Sequence, residues 1–312
     1  TYPFQRQRYW IDAPQKKAEV EASAEKSLKP LIDKMIHTPV SNTTIFETAF
    51  SVATRPILAD YRVSHTAVVP PATQLALLLE AADLALDGRS PVFRNLVFSD
   101  PLVVPEQGRR IVQLLATASA ADPELLDLKL VGFDSNKKKP TIFTAATGQL
   151  GVFIEADSNH TTALDSYRKR CGDGVDIAKL YPNMSAVGAT LRWLTDAWQG
   201  DGELFGKLAM PDGVRDGDSY RIHPGLLESC FVLVAAYRSE TAVPLLPSAI
   251  RSIKLYHASQ PHDAAEWWCY SRQINETTWD IRLLDGDGNC LIEMEGVAYL
   301  PAPLDAIYHQ SD

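Results

Sequence analysis

One pattern occurs twice along this chain and limits the folds open to it. A strand-like run is followed by a proline-led helix that is apolar nearly all round, and then by several more strand-like runs. In the first copy, Thr44 to Val52 alternates apolar and polar residues as a half-buried strand does. Pro70 and Pro71 then open the helical run Ala72 to Ala82, rich in helix formers and ended by Asp87-Gly88. Strand-like runs follow at Val92 to Ser99, Arg110 to Ala118 and Leu126 to Phe133, with a fourth at Thr141 to Phe153. In the second copy, Glu203 to Met210 precedes His223-Pro224 and the helical run Gly225 to Ala236. Ile250 to Tyr256, Glu266 to Ser271, Thr278 to Leu284 and Cys290 to Tyr299 complete it.

A helix that is apolar on every side has to be buried on every side. A curled antiparallel sheet wrapped around it meets that demand, so the pattern predicts an α+β fold with two such units in tandem. The hotdog fold has this arrangement, and the 312 residues suffice for two copies, a double hotdog. Residues 1–30 read as a polar linker anchored elsewhere, 31–158 as the first unit, 159–180 as an inter-unit linker, 181–305 as the second unit, and 306–312 as the start of a further linker.

Composition closes several other routes. A net charge of −9 argues against nucleic acid, which demands concentrated Lys and Arg. The one basic cluster, Lys137-Lys138-Lys139 before Pro140, reads as a solvated turn. Cys171, Cys230, Cys269 and Cys290 are scattered without zinc spacing, and two of them lie in apolar stretches, as buried thiols in a reducing cytoplasm would. No apolar run reaches the roughly 20 residues of a membrane helix, and the opening TYPFQRQRYW is not a signal peptide. The expected setting is cytoplasmic, with neither membrane nor nucleic acid as partner. Asp285-Gly286-Asp287-Gly288-Asn289 reads as a hairpin turn; the later Glu of a calcium loop is missing. No metal site is expected.

Specific residues then point to a family. Tyr2 to Trp10, YPFQRQRYW, matches a segment that modular polyketide synthases commonly carry just after the acyltransferase. Leu58 to Pro71 resembles the first motif of their dehydratase domains: a histidine, glycine four residues on, and proline nine on, the last matched by Pro70. Pro101 to Glu106 is similar to the strand-turn after the first helix, and Leu245 to Ile250 to a segment before a later strand. His223 to Glu228 resembles the second helix start, which normally bears a catalytic aspartate. The resemblance spans nearly the whole chain.

It also implies departures. Tyr61 falls where the family has its catalytic histidine, His65 where the motif has glycine, and Pro71 where a second glycine is common. Over Met184 to Leu191 only Gly188 matches the family's aromatic-rich segment cleanly; Val187, Ala189 and Leu191 take the tyrosine, proline and phenylalanine positions. Glu228 replaces the aspartate, and Val232 the polar residue four further on. The implied catalytic positions are therefore Tyr61 and Glu228, with His65 as a conceivable stand-in, and Pro70, Val187, Gly188, Leu191 and Val232 as the implied substrate-contact positions.

By that resemblance the reaction removes water from a β-hydroxyacyl group carried on the phosphopantetheine arm of an acyl carrier protein. The domain itself needs no bound cofactor for this. A base takes the α-proton and a carboxylic acid protonates the leaving hydroxyl. Histidine, with a pKa near 6.5, serves as that base; tyrosine, near 10, is phenolate in about one molecule per thousand at pH 7. Burial raises that value further, and Arg62, next along a strand, points to the other face. The expectation is a dehydratase-like domain that does not dehydrate and is retained for a structural or docking role. An altered but active lyase, or a non-dehydrating isomerase or cyclase, stays open as an alternative. The implied partners are the carrier protein, an upstream acyltransferase and a downstream methyltransferase or ketoreductase. A homodimer is also open, since whole synthases of this type are homodimers.

Overall fold

The computed structural model describes residues 27–63, 65–133, 141–154, 163–181, 187–237, 245–256 and 266–311. The leading segment up to residue 26, the Lys137–Lys139 cluster, His257 and His262 lie outside them. The first half contains β1 (Lys34–Thr38), β2 (Thr43–Phe50), β3 (Arg62–Val63), β4 (Thr66–Val69), α1 (Pro71–Ala85), β5 (Pro91–Phe98), β6 (Leu102–Val103), β7 (Arg110–Ala118), β8 (Leu126–Phe133) and β9 (Ile142–Val152). The second contains α2 (Leu164–Arg170), β10 (Asp173–Val175), α3 (Ile177–Leu180), β11 (Leu194–Gln199), β12 (Glu203–Leu208), α4 (Pro224–Tyr237), β13 (Leu245–Leu255), β14 (Trp267–Gln273), β15 (Thr278–Leu284), β16 (Cys290–Pro301) and α5 (Leu304–Ser311).

The two expected units are present, and their sheets are one. Among the described residues, strands run in the order β1-β2-β7-β8-β9-β5-β13-β16-β15-β14-β12-β11-β10, thirteen in a single sheet, with β3-β4-β6 as a separate small sheet. The seam is the antiparallel pair β5–β13, where Ile253 faces Phe93 and Ile250 faces Leu96. The four of these side chains are buried, so apolar contact reinforces the backbone ladder across the junction. The fold is the double hotdog.

Each half wraps one helix. In α1 every residue from Pro71 to Ala82 is buried, and in α4 every residue from Pro224 to Ala235 is. Burying each leucine of such a helix contributes roughly 1.5–3 kcal/mol. Pro71 sits in the first turn of α1, where its missing N–H is not needed, and the Gln74 amide closes that turn on the Pro70 carbonyl at 3.1 Å. The all-round apolar reading of α1 misses three polar residues that are also inside, Thr73, Gln74 and Glu80. Gln74 donates through Nε2 to the Val69 carbonyl at 3.0 Å. Glu80 accepts the Leu31 amide at 2.9 Å, and burial pushes its carboxyl up to about 8.

The stretch 159–180, expected as a linker, carries α2, β10 and α3. Tyr167 of α2 stacks on Tyr270 of β14 with centroids 4.0 Å apart, and buried Cys171 lies beside it in a small apolar cluster with Phe205 and Leu284. All four cysteines are buried and unbridged. The Asp285–Asn289 segment is a turn: the Asp285 carboxylate accepts the amides of Asp287 at 3.0 Å and Asn289 at 2.8 Å. Among the described residues no helix is long and apolar enough to cross a membrane.

Candidate functional site

Tyr61 stands where a short 3-10 turn, Pro56–Asp60, passes into β3. Its carbonyl accepts the Val68 amide at 3.0 Å, which folds β4 back against it, and its backbone bridges to Val187 from the second half. The neighbouring residue tightens this link. The Asp60 carbonyl accepts the Gly188 amide at 2.5 Å, while its carboxylate accepts the Thr190 amide at 2.9 Å and the Thr190 hydroxyl at 2.5 Å. Residues 60–61 and 187–190 thus form a polar latch between the two units. Gly188 is glycine for a steric reason, since a Cβ there would lie 2.4 Å from the Asp60 carboxyl carbon.

A second set of contacts sets α4 against the same strip. The Ser229 hydroxyl accepts the Trp193 amide at 2.9 Å and donates to the Leu191 carbonyl at 3.3 Å. The Trp193 indole N–H donates to the Thr190 carbonyl at 2.9 Å. His223 accepts the Gly225 amide on Nδ1 at 2.9 Å, which requires that nitrogen unprotonated, and burial lowers its pKa to about 3. Sequence reasoning missed Asp60, Thr190, Trp193 and Ser229 because each acts through a partner far along the chain or a backbone atom. The weak local signal was an isolated Asp beside the motif position.

Glu228 lies one turn into α4, past the first turn where a carboxylate would gain from the helix dipole. It is 3% exposed, and burial pushes its carboxyl up to about 8, so it is mainly neutral at pH 7. Tyr61 is 1% exposed, and its phenol is raised well above 10, first by burial and then by the charge of Glu228 when that is ionised. Among the described residues no cation offsets these effects. Arg62 is committed elsewhere: it grips Glu106 at 2.5 Å and donates to the His65 carbonyl at 2.7 Å.

The structure therefore brings Tyr61, Val187 and Glu228 together. Val187, Leu191 and Val232 are fully packed, and Gly188 is half-buried against Asp60. Pro70 and Tyr61 line a cavity of about 160 Å³ with Val68, Val69, Gln74 and Pro247; Val187, Glu228 and Val232 do not line it. His65 is elsewhere. It is exposed on the β3–β4 turn at φ 73°, a left-handed conformation that suits glycine, the residue the family motif has there.

Comparison with known proteins bears on the family and the fold. The family model described as "Polyketide synthase dehydratase domain" matches residues 29–126, and that described as "Polyketide synthase dehydratase N-terminal domain" matches residues 159–303. The two fall in turn on the two halves and together cover most of the chain. A spectinabilin polyketide synthase system protein, NorA′ of Streptomyces orinoci, is 28% identical over 254 residues, 78% of this chain and 7% of the relative. Mycoketide-CoA synthase of Mycobacterium tuberculosis is 25% identical over 258 residues, 78% of this chain and 6% of the relative. The chain thus spans less than a tenth of the length of these curated relatives. Among solved structures, the dehydratase domain from the CurJ module of the curacin polyketide synthase superposes with TM-score 0.77 at 27% identity, covering 88% of this chain and 99% of that one. A CurJ dehydratase carrying a histidine-to-phenylalanine exchange, an inactive mutant in complex with Compound 21, superposes with TM-score 0.80 at 27% identity, covering 90% and 99%. Fold, motif order and relatives converge: this chain belongs to the polyketide synthase dehydratase family, as a double-hotdog, dehydratase-type domain of a modular polyketide synthase.

Proposed function

We propose that this domain keeps the dehydratase fold without the dehydratase reaction, and serves its synthase as a structural or docking unit for neighbouring domains and the acyl carrier protein. The observation that carries this reading is the state of Tyr61, a buried phenol with no cation in reach among the described residues and a carboxyl group as its electrostatic neighbour. Both burial and that neighbour favour the protonated form, the opposite of what abstracting an α-proton demands. Glu228, held as a neutral acid, is in the form that protonates a leaving hydroxyl. An acid without its base does not eliminate water. His65 does not fill the gap, being exposed on a turn and outside the cavity lining.

Two further observations support the reading. The cavity at Tyr61, about 160 Å³, is smaller than the roughly 300–1,000 Å³ of ordinary small-molecule sites. In the CurJ relative named above, replacing one histidine by an aromatic ring goes with the inactive state. Here an aromatic ring, Tyr61, occupies the position that the family motif gives to its histidine. The substrate for a test is a β-hydroxyacyl group on the phosphopantetheine arm of a carrier protein. Incubated with the purified domain and followed by mass spectrometry, it should give no enoyl product, and Tyr61→Phe should change nothing. Enoyl product that Tyr61→Phe abolishes would overturn the proposal.

A further inference from the structure

Residues 29–33, by which the incoming chain joins the first unit, are fastened at four points. Lys29 Nζ pairs with one Asp83 carboxylate oxygen on α1 at 3.2 Å. The Pro30 carbonyl accepts Arg55 Nε at 3.0 Å, the Leu31 amide donates to Glu80 at 2.9 Å, and the Asp33 carboxylate accepts Arg55 Nη2 at 2.6 Å. The second unit reaches the same α1 carboxylate. Arg221, three residues ahead of α4, brings Nε to 3.6 Å from the other Asp83 oxygen, with its side chain only 9% exposed. Its neighbours Tyr220, Ile222 and His223 are buried, so the chain around it is held in place. A groove of about 1160 Å³ lies between the two segments, with Lys29, Asp33 and Arg55 on one side and Val214, Tyr220 and His223 on the other. They meet on α1.

One carboxylate shared by two cations has a predictable energetic consequence. A carboxylate drawn out of bulk water is costly once it has lost every partner, and much less so while one cation stays beside it. The two cations also repel each other across it. Asp83 is 24% exposed, so solvent screens neither effect fully. Both effects make the loss of the first cation cheap and the loss of the second expensive.

We infer that the incoming chain and the second unit are thermodynamically coupled through Asp83. Arg221 holds α1 weakly while Lys29 is in place, and strongly once Lys29 is displaced. The way the chain is held at residue 29 is thereby felt at residues 220–223, the lead-in to the helix that carries Glu228. The coupling is a property of the fold, so it stands whether or not the domain dehydrates.

A double-mutant cycle in the whole chain tests this. Lys29→Met and Arg221→Met each remove a charge and keep an unbranched stem, and urea denaturation gives the folded-to-unfolded ratio of every variant. Each single exchange should lower that ratio by no more than about tenfold. The double exchange should lower it about fivefold or more beyond the product of the two single losses. The same cycle built on Asp83→Asn, with no carboxylate left to share, should bring that excess within about twofold. Where Asp83→Asn does not fold, the first cycle decides. A double variant that fails to fold while both single variants fold would support the coupling equally. Single losses that simply multiply, or an excess that persists on Asp83→Asn, would overturn it. So would failure of both Arg221→Met and Arg221→Gln to fold with Lys29 in place, because Arg221 would then be holding strongly when it should hold weakly.

Discussion

Raising the pH from about 6.5 to about 8.5 is expected to destabilise this domain steeply, and Glu228→Gln is expected to remove about half of that loss. Glu228 and Glu80 are both buried acids held up to about 8, against an ordinary value of 4.5. A raised acid keeps its proton in the folded state after the unfolded chain has released it. Its stabilisation is therefore complete below about 4.5 and is lost as pH rises towards 8, at roughly 1.4 kcal/mol per pH unit for each group. His223 works in the other direction. Its folded value of about 3 lies below the ordinary 6.5, so its contribution is lost as pH falls through that window. Between about 4.5 and 6.5 it offsets one of the two acids, and above 6.5 both act unopposed. Glu228→Gln keeps the shape without a titrating proton, and near pH 8 it should leave the domain more stable than the parent by roughly 3–5 kcal/mol. Melting temperatures across pH 5 to 9 check this; parallel curves for parent and variant would show that Glu228 is not held as a buried neutral acid.

The second large effect concerns the latch between the units. Gly188→Ala should cost about 3 kcal/mol, because its Cβ would enter the space of the Asp60 carboxyl carbon at 2.4 Å. That carboxylate cannot swing away freely, since it accepts both the amide and the hydroxyl of Thr190. Asp60→Gly should also destabilise, by leaving the Thr190 donors unpaired. The informative variant is the double one. With the whole Asp60 side chain gone, including the Cβ that would lie 2.8 Å from the new methyl, the alanine has room, so Gly188→Ala should add little to Asp60→Gly, a non-additivity readable from urea denaturation. Simple addition of the two losses would place the cost of Gly188→Ala elsewhere.

These two sites also show what could be read from sequence. The strands were legible where one face is buried and the other wet: β7, Arg110–Ala118, alternates buried and half-buried along nearly its whole length. Both central helices were legible because being apolar all round leaves a helix nowhere to go but inside. β1 was not, since KMIHT lies exposed at the edge of the sheet with Met35 and Ile36 outward. Glu80 was hidden for a different reason. A glutamate in a helical run reads as a solvated position, and the Leu31 amide that makes its burial tolerable lies 49 residues away. At the site, the motif spacing led to Tyr61, Glu228 and Gly188 as positions of interest. It did not reveal that Gly188 is shaped by Asp60, that His65 occupies a turn, or that α5 walls the cavity. The first and last depend on contacts between segments far apart in the chain, and the second on the local geometry of the β3–β4 turn.

Tyr61 is expected to remain a neutral phenol throughout the pH range in which the domain is folded. The direct measurement is the phenolate absorbance of the parent minus that of Tyr61→Phe, followed with rising pH alongside a circular-dichroism record of folding. The predicted result is no Tyr61 signal until the alkaline unfolding transition, where it should appear together with loss of structure. A phenolate titrating in the folded domain near neutral pH would contradict the account, because Tyr61 would then be a competent base.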